Sequence, residues 1–177
     1  MHIETDLNII ATAAEQKEEE NENFKSFLRS QDETIIDALV HSLNKQIEPQ
    51  IDCTQCGNCC KSLMINVEEK EANELSGHLH LTRDEFDEEY IEKGSGGMMI
   101  INTIPCHFLS NNKCTVYEHR FADCRNFPNL HLAGFTKRLF ATFMHYGRCP
   151  IIFNVVEEMK RESHFSGVKL PTALLPV

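Results

Sequence analysis

Apolar residues return at helical spacing toward both ends of this chain and lose that regularity in the middle. Leu7, Ile9, Ile10, Ala13 and Ala14 open a segment that closes on Phe24, Phe27 and Leu28, with a polar stretch between them. The pattern predicts one helix over 7–28, frayed or bent at its centre. Ile35, Ile36, Leu39, Val40 and Leu43 then recur three and four residues apart. Ser30 followed by Glu33 has the form of a capping box, so a second helix is expected over 31–45, ended by Pro49.

The centre is more broken. Residues 63–67 read as a short strand, and 68–75 as a helix closed by Ser76 and Gly77. Thr82 with Glu85 is a second capping box, opening a helix that carries Phe86, Tyr90 and Ile91 and stops at Gly94. The glycine-rich 94–97 lacks the Lys-Ser/Thr and the following helix of a phosphate loop, which leaves a flexible turn. Residues 98–103 and 114–117 look like strands of a hairpin, with Asn111 and Asn112 turning the chain between Leu109 and Cys114. Residues 118–125 read as a short helix or loop ended by Pro128.

Helical spacing returns at Thr136, which can cap a helix whose Leu139, Phe140, Phe143 and Met144 form a stripe expected to face a core. Cys149 precedes Pro150, Ile151, Ile152, Val155, Val156 and Met159, and proline at a first helical position puts Cys149 at a helix N-terminus. The dipole and free amides there favour a thiolate. A tail over 167–177, with Pro171 and Pro176, is expected to be extended and packed on the surface.

Composition adds constraints rather than a new pattern. A chain of 177 residues with 41% apolar content suits one core and no second large domain. The net charge of −10 comes mostly from residues 15–23 and 68–92 and argues against nucleic acid or an anionic membrane surface as partner. No window approaches a membrane span, and the N-terminus lacks the basic and apolar regions of a secretory signal. A cytoplasmic protein is expected, with its thiols reduced.

Eight cysteines therefore need a purpose other than disulfides. Cys53, Cys56, Cys59 and Cys60 are spaced C-x2-C-x2-C-C, with Gly57 and Asn58 in the turn. Two residues between cysteines make a tight turn that aims both sulfurs inward, and a third cysteine at the same spacing fits an iron–sulfur loop better than a zinc knuckle. No second C-x2-C pair is present; Cys106, Cys114, Cys124 and Cys149 are dispersed. Side chains of adjacent residues are expected to diverge, so Cys59 and Cys60 should not both ligate one ion. Two four-thiolate sites, one such site with a structural or redox remainder, and a binuclear cluster all remain open. His107, His119, His131 and His145 lie near cysteines in the chain, but a lone histidine is more often surface or satisfied core than ligand. Arg120 and Arg125 could donate to cluster sulfurs and offset thiolate charge, or form surface ion pairs with the many glutamates.

The ordered motifs Cys53-Thr54-Gln55-Cys56-Gly57-Asn58-Cys59-Cys60, Pro105-Cys106-His107-Phe108-Leu109, Cys114-Thr115-Val116-Tyr117-Glu118, Arg120, Cys124-Arg125-Asn126-Phe127-Pro128 and Cys149 resemble the YkgJ-type cysteine-cluster family of zinc- or iron-chelating domains. Flagellin lysine methylases of the FliB type are similar over the same motifs. The resemblance covers about residues 51–150. It implies that Cys53, Cys56, Cys59, Cys60, Cys106, Cys114, Cys124 and Cys149 bind zinc or an iron–sulfur cluster; between the two, the triple x2 spacing favours iron–sulfur, with 4Fe-4S the cluster expected. The methylase likeness implies an alternative, iron–sulfur-dependent protein lysine methylation with S-adenosylmethionine as donor. No glycine-rich dinucleotide fingerprint supplies a donor pocket. Phe121 and His107 stand where the family usually has proline, which bears on local helix starts and not on the thiols.

The expectation is an α-rich α+β fold with a small metal-stapled domain, short strands and a hairpin at its cysteine-rich centre, and helices at both ends. Residues 1–50 form a helical extension, 51–166 the metal-binding domain and 167–177 the tail. The partners expected are the metal or cluster and a protein, with neither nucleic acid nor membrane.

Overall fold

A computed structural model describes residues 2–165. In chain order its helices are α1 (Leu7–Gln16), α2 (Glu18–Arg29), α3 (Glu33–Ile47), α4 (Cys53–Cys56), α5 (Glu69–His78), α6 (Arg83–Tyr90), α7 (Ala122–Asn126), α8 (Leu139–Met144) and α9 (Pro150–Glu162). The strands are β1 (Asn66–Val67), β2 (Ile91–Lys93), β3 (Met99–Ile101), β4 (Leu109–Ser110) and β5 (Lys113–Cys114). The α-rich α+β class is as expected. The expected tail over 167–177 lies outside the described residues.

The chain divides into two compact units: the described parts of Met1–Ile51 with Pro128–Val177, and Asp52–Phe127. Residues 128–165, which the sequence grouped with the cysteines, thus belong with the N-terminal helices. The first unit is all helical and is built on α9. Six consecutive residues, Ile151 to Val156, are buried whichever way they face, as in a helix covered on all sides. α3 is its main neighbour, presenting Ile36, Val40, Leu43 and Ile47, and α1 packs beside it through Ile10. Each such aliphatic side chain contributes about 1.5–3 kcal/mol by leaving water.

The helix expected over 7–28 is two helices, hinged at Lys17. α3 starts at Asp32, not at a Ser30 capping box. The Asp32 carboxylate accepts from the amides of Thr34 and Ile35, while the Ser30 hydroxyl turns back to the Phe27 carbonyl of α2. Thr136 caps nothing either. It lies in a 3-10 turn over Phe135–Arg138, whose first amides, Gly134 and Phe135, are capped from α3 by Asp37 at 2.7 and 2.9 Å. Periodicity within one segment cannot reveal a cap supplied about a hundred residues away. The stripe on α8 is half right: Leu139 is buried, but Phe140 and Met144 are 74% and 53% exposed, because the helix lasts under two turns and buries one edge. Ile35 on α3 is likewise exposed.

A buried polar network crosses the first unit. The Lys160 ammonium, 6% exposed, reaches Glu20 at 2.7 Å and Glu157 at 2.8 Å and sits over the rings of Tyr146 and Phe24. Glu157 also accepts from the Tyr146 hydroxyl at 2.7 Å and pairs with Lys17. Burial alone would raise the Glu157 pKa, but the donors Lys160, Lys17 and Tyr146 outweigh it and hold the carboxyl below its ordinary value.

The second unit is held by a small antiparallel sheet in the order β1-β3-β2, with Val67 opposite Met99 and Ile91 opposite Ile101. Its core gathers Ile65, Val67, Ala72, Leu75, Phe86, Ile91, Met99, Ile101, Phe108, Val116 and Phe121. The Thr82 and Glu85 capping box on α6 is as read from sequence. α6 ends at Tyr90, however, and its continuation becomes β2. α5 runs through Ser76 and Gly77 to His78, since its first turn is fixed by a capping box of Glu68 and Glu71 and Leu75 anchors it in the core. The hairpin also has a different partner: Asn111 and Asn112, both at positive φ, turn β4 into β5, whereas β3 joins the sheet.

Candidate metal centre

The C-x2-C-x2-C-C loop starts with a cap. The Asp52 carboxylate accepts from the Thr54 amide at 2.9 Å, the Thr54 hydroxyl at 2.6 Å and the Gln55 side chain at 2.7 Å. These donors keep its pKa low, the Thr54 side chain foremost. One helical turn, α4, carries Cys53 and Cys56, and Gly57 ends it at φ +57°. A Cβ there would stand 2.5 Å from the Asn112 carbonyl oxygen, so only glycine lets the loop close on the β4–β5 turn. The same approach sets the loop beside Cys114 on β5.

Cys59 and Cys60 follow in a 3-10 turn, Cys59–Lys61. Their sulfurs do not diverge: they stand 4.0 Å apart. Successive side chains in such a turn are about 120° apart around the axis, not on opposite faces as in a strand, which lets neighbouring sulfurs approach. Two thiolates on one tetrahedral ion with bonds of about 2.3 Å would be about 3.8 Å apart. The spacing of the adjacent pair is therefore close to a ligating one.

Three further thiols come from three separate segments. The Cys106 amide donates to the Cys60 carbonyl at 2.8 Å, Cys114 is on the hairpin, and Cys124 is on α7. α7 is pinned at two points. Asp123 accepts from the Asn66 amide and side chain at 2.9 and 2.8 Å, and Glu71 accepts from the Ala122 amide at 2.5 Å and from Arg125 at 3.1 Å.

The thiols perturb one another. The two sulfurs share a hydrogen bond in which either can be the donor; it outweighs burial and lowers Cys59 to about 7. The same bond raises Cys60, and burial and the charges of Cys59, Cys106 and Cys114 add to it. Burial pushes Cys124 up to about 12, helped by the charges of Cys106, Cys59 and Cys114. Burial also raises Cys106 and Cys114, while Arg120 partly offsets the rise at Cys114. Five thiols thus share one electrostatic neighbourhood, where each added thiolate opposes the next and a cation would reverse the sign. Among the described residues no three His, Cys, Asp or Glu side chains already stand in a metal-holding arrangement. The donor type and number fit a thiophilic metal.

The remaining expected residues are placed as follows. Cys53 and Cys56 flank the same loop on α4. Cys149 belongs to the other unit, buried as the N-cap of α9 with Pro150 behind it. Arg120 stacks on the Tyr117 ring at 3.8 Å and donates to the Tyr117 carbonyl at 2.8 Å. Arg125 is taken up by Glu71 and the Arg120 carbonyl. His107 bonds Asn102 at 2.7 Å. Sequence reasoning passed over Asp52, Glu71 and Asp123, the residues that hold the thiol-bearing turns. Asp52 had a local signal, an aspartate just before a helical turn; Glu71 and Asp123 act across more than fifty residues and had none.

These features define a thiol-rich chelating unit attached to a helical one. The family model CxxCxxCC, described as "Putative zinc- or iron-chelating domain", matches residues 52–149, more than half of the chain, and the chain belongs to that family. No curated protein and no solved structure matches it.

Proposed function

We propose that the Asp52–Phe127 unit holds an iron–sulfur cluster of the four-iron type through thiolates drawn from Cys53, Cys56, Cys59, Cys60, Cys106, Cys114 and Cys124, and that this ligation maintains the fold of the unit. The observation that carries the reading is the convergence of the C-x2-C-x2-C-C loop with thiols from three other segments, without a second C-x2-C knuckle to complete an ordinary zinc site. When bound, such a cluster would cross-link the thiolates that ligate it and supply a one-electron redox couple.

The protein's own residues prepare the donors. Asp52 and Gly57 set the loop; Glu71 and Asp123 fix α7 so that Cys124 meets it. Arg120 is the cation that acts on Cys114. Strands of two or three residues give little cooperative pairing on their own, which suits a unit whose folding is coupled to metal. The test is anaerobic purification followed by a visible spectrum and chelator treatment. Broad sulfide-to-iron charge-transfer absorbance that bleaches together with loss of near-UV circular dichroism supports the reading. A colourless, zinc-only protein contradicts the cluster, and a bleached protein with unchanged circular dichroism contradicts the structural role.

A further inference from the structure

His78 and His119 face each other with ring centroids 3.8 Å apart and planes inclined by 27°. Both are exposed, and neither is among the cysteines assigned above. His78 is the last residue of α5 and His119 closes the 3-10 turn Tyr117–His119, so about forty residues separate them in the chain.

Their meeting is fixed by the surrounding structure. Leu75 on α5 is buried in the same core as Val116 and Phe121, which bracket the turn bearing His119. The His119 amide donates to the Val116 carbonyl at 2.8 Å. Glu71, two turns before His78, holds the Ala122 amide and Arg125 just beyond that turn. The two elements are tied on both sides of the pair, which fixes where the imidazoles meet.

We propose that this pair is a second metal site that takes a borderline divalent cation, such as Ni2+, Cu2+ or Zn2+, through two imidazole nitrogens and water. Imidazole suits these ions, and two nitrogens at about 2.0–2.1 Å from one tetrahedral ion lie about 3.4 Å apart. With their planes inclined by 27° the in-plane nitrogen lone pairs run nearly parallel, so both rings turn out of the stack, about side-chain bonds that are free at this exposed position, before two nitrogens converge on one ion. Fixed placement of the two backbone elements removes part of the ordering cost that two independent surface histidines would carry. The site rests on imidazole alone and goes beyond the thiol reading.

The test uses the full chain as purified anaerobically, with its thiol-bound metal in place and free metal removed. Titration with Ni2+ by calorimetry is expected to show one further site per chain with micromolar affinity. His78→Ala and His119→Ala should each weaken it at least tenfold, while His131→Ala, an exposed histidine elsewhere, leaves it unchanged. Paramagnetic broadening by Ni2+ of the His78 and His119 ring resonances in the unaltered chain locates the same site without relying on a variant. Absence of the further site, its survival in both variants, or broadening confined to other histidines overturns the proposal. Because the variants leave every thiol in place, failure of the iron–sulfur reading would be seen separately.

Discussion

Adding one methyl group at Gly57 should damage the metal unit about as much as a large-to-small core truncation would. Two costs add. The first is a non-glycine residue at φ +57°, about 1–2 kcal/mol. The second is steric: the new carbon would sit 2.5 Å from the Asn112 carbonyl oxygen and 3.0 Å from its carbonyl carbon and Cα, all backbone atoms of a tight turn. Relieving that overlap means pulling the C-x2-C loop off the hairpin, at a further cost of about 1–3 kcal/mol. Gly57→Ala should thus cost about 3 kcal/mol, lower the melting temperature by roughly 6–12 °C, and reduce metal content in protein purified in parallel. Gly77→Ala is the control. That glycine is inside α5 at ordinary helical angles, with nothing within 4 Å of an added Cβ, and the change should stabilise by about 0.5–1 kcal/mol. Thermal melts of the three proteins, with metal analysis of each, decide between these outcomes. Equal melting and metal content for Gly57→Ala and the unaltered chain would refute the claim that this contact shapes the site.

Cys124→Ser and Cys106→Ser should each lose most of the bound metal while Ser163→Ala, in the other unit, keeps it, as read by metal analysis after gel filtration. Asp37→Ala removes the acceptor of two amides at the Phe135–Arg138 turn and should cost about 1–2 kcal/mol in chemical denaturation. Glu157 has a folded pKa below its unfolded value, so its contribution is present above the unfolded pKa and is lost as pH falls through the folded one. The denaturation midpoint should accordingly drop below about pH 4.5, and Glu157→Gln should flatten that part of the profile. Lys160→Met leaves Glu20 and Glu157 without their shared buried cation and should destabilise by about 3 kcal/mol, measured at neutral pH.

Local physics was legible in the sequence and distant contacts were not. The α3 apolar repeat, the Thr82–Glu85 cap, the Asn111–Asn112 turn and the Cys149–Pro150 helix start each depend on neighbours within four residues, and each was readable. The α3 cap falls on Asp32 and not on Ser30 because α2 runs to Arg29 and leaves Ser30 as its C-cap in helical backbone, whereas Asp32 has the extended angles of an N-cap. The strand pairing differs as well: residues 98–103 have strand composition, but β3 pairs with β2, about eight residues before it and read as the end of a helix, and with β1, about thirty residues away. At the site, the residue types and the loop spacing pointed to chelation. The adjacent-thiol geometry did not follow, since a strand-like divergence was assumed where the chain makes a 3-10 turn. The methyl-transfer alternative rested on resemblance alone.

What the thiols of Asp52–Phe127 hold decides the chemistry of this protein. Iron and acid-labile sulfide per chain, measured together on anaerobically purified protein, test this most directly. The prediction is about four of each in equal amounts, lost together in Cys124→Ser. Zinc without sulfide, or iron without sulfide, would contradict it.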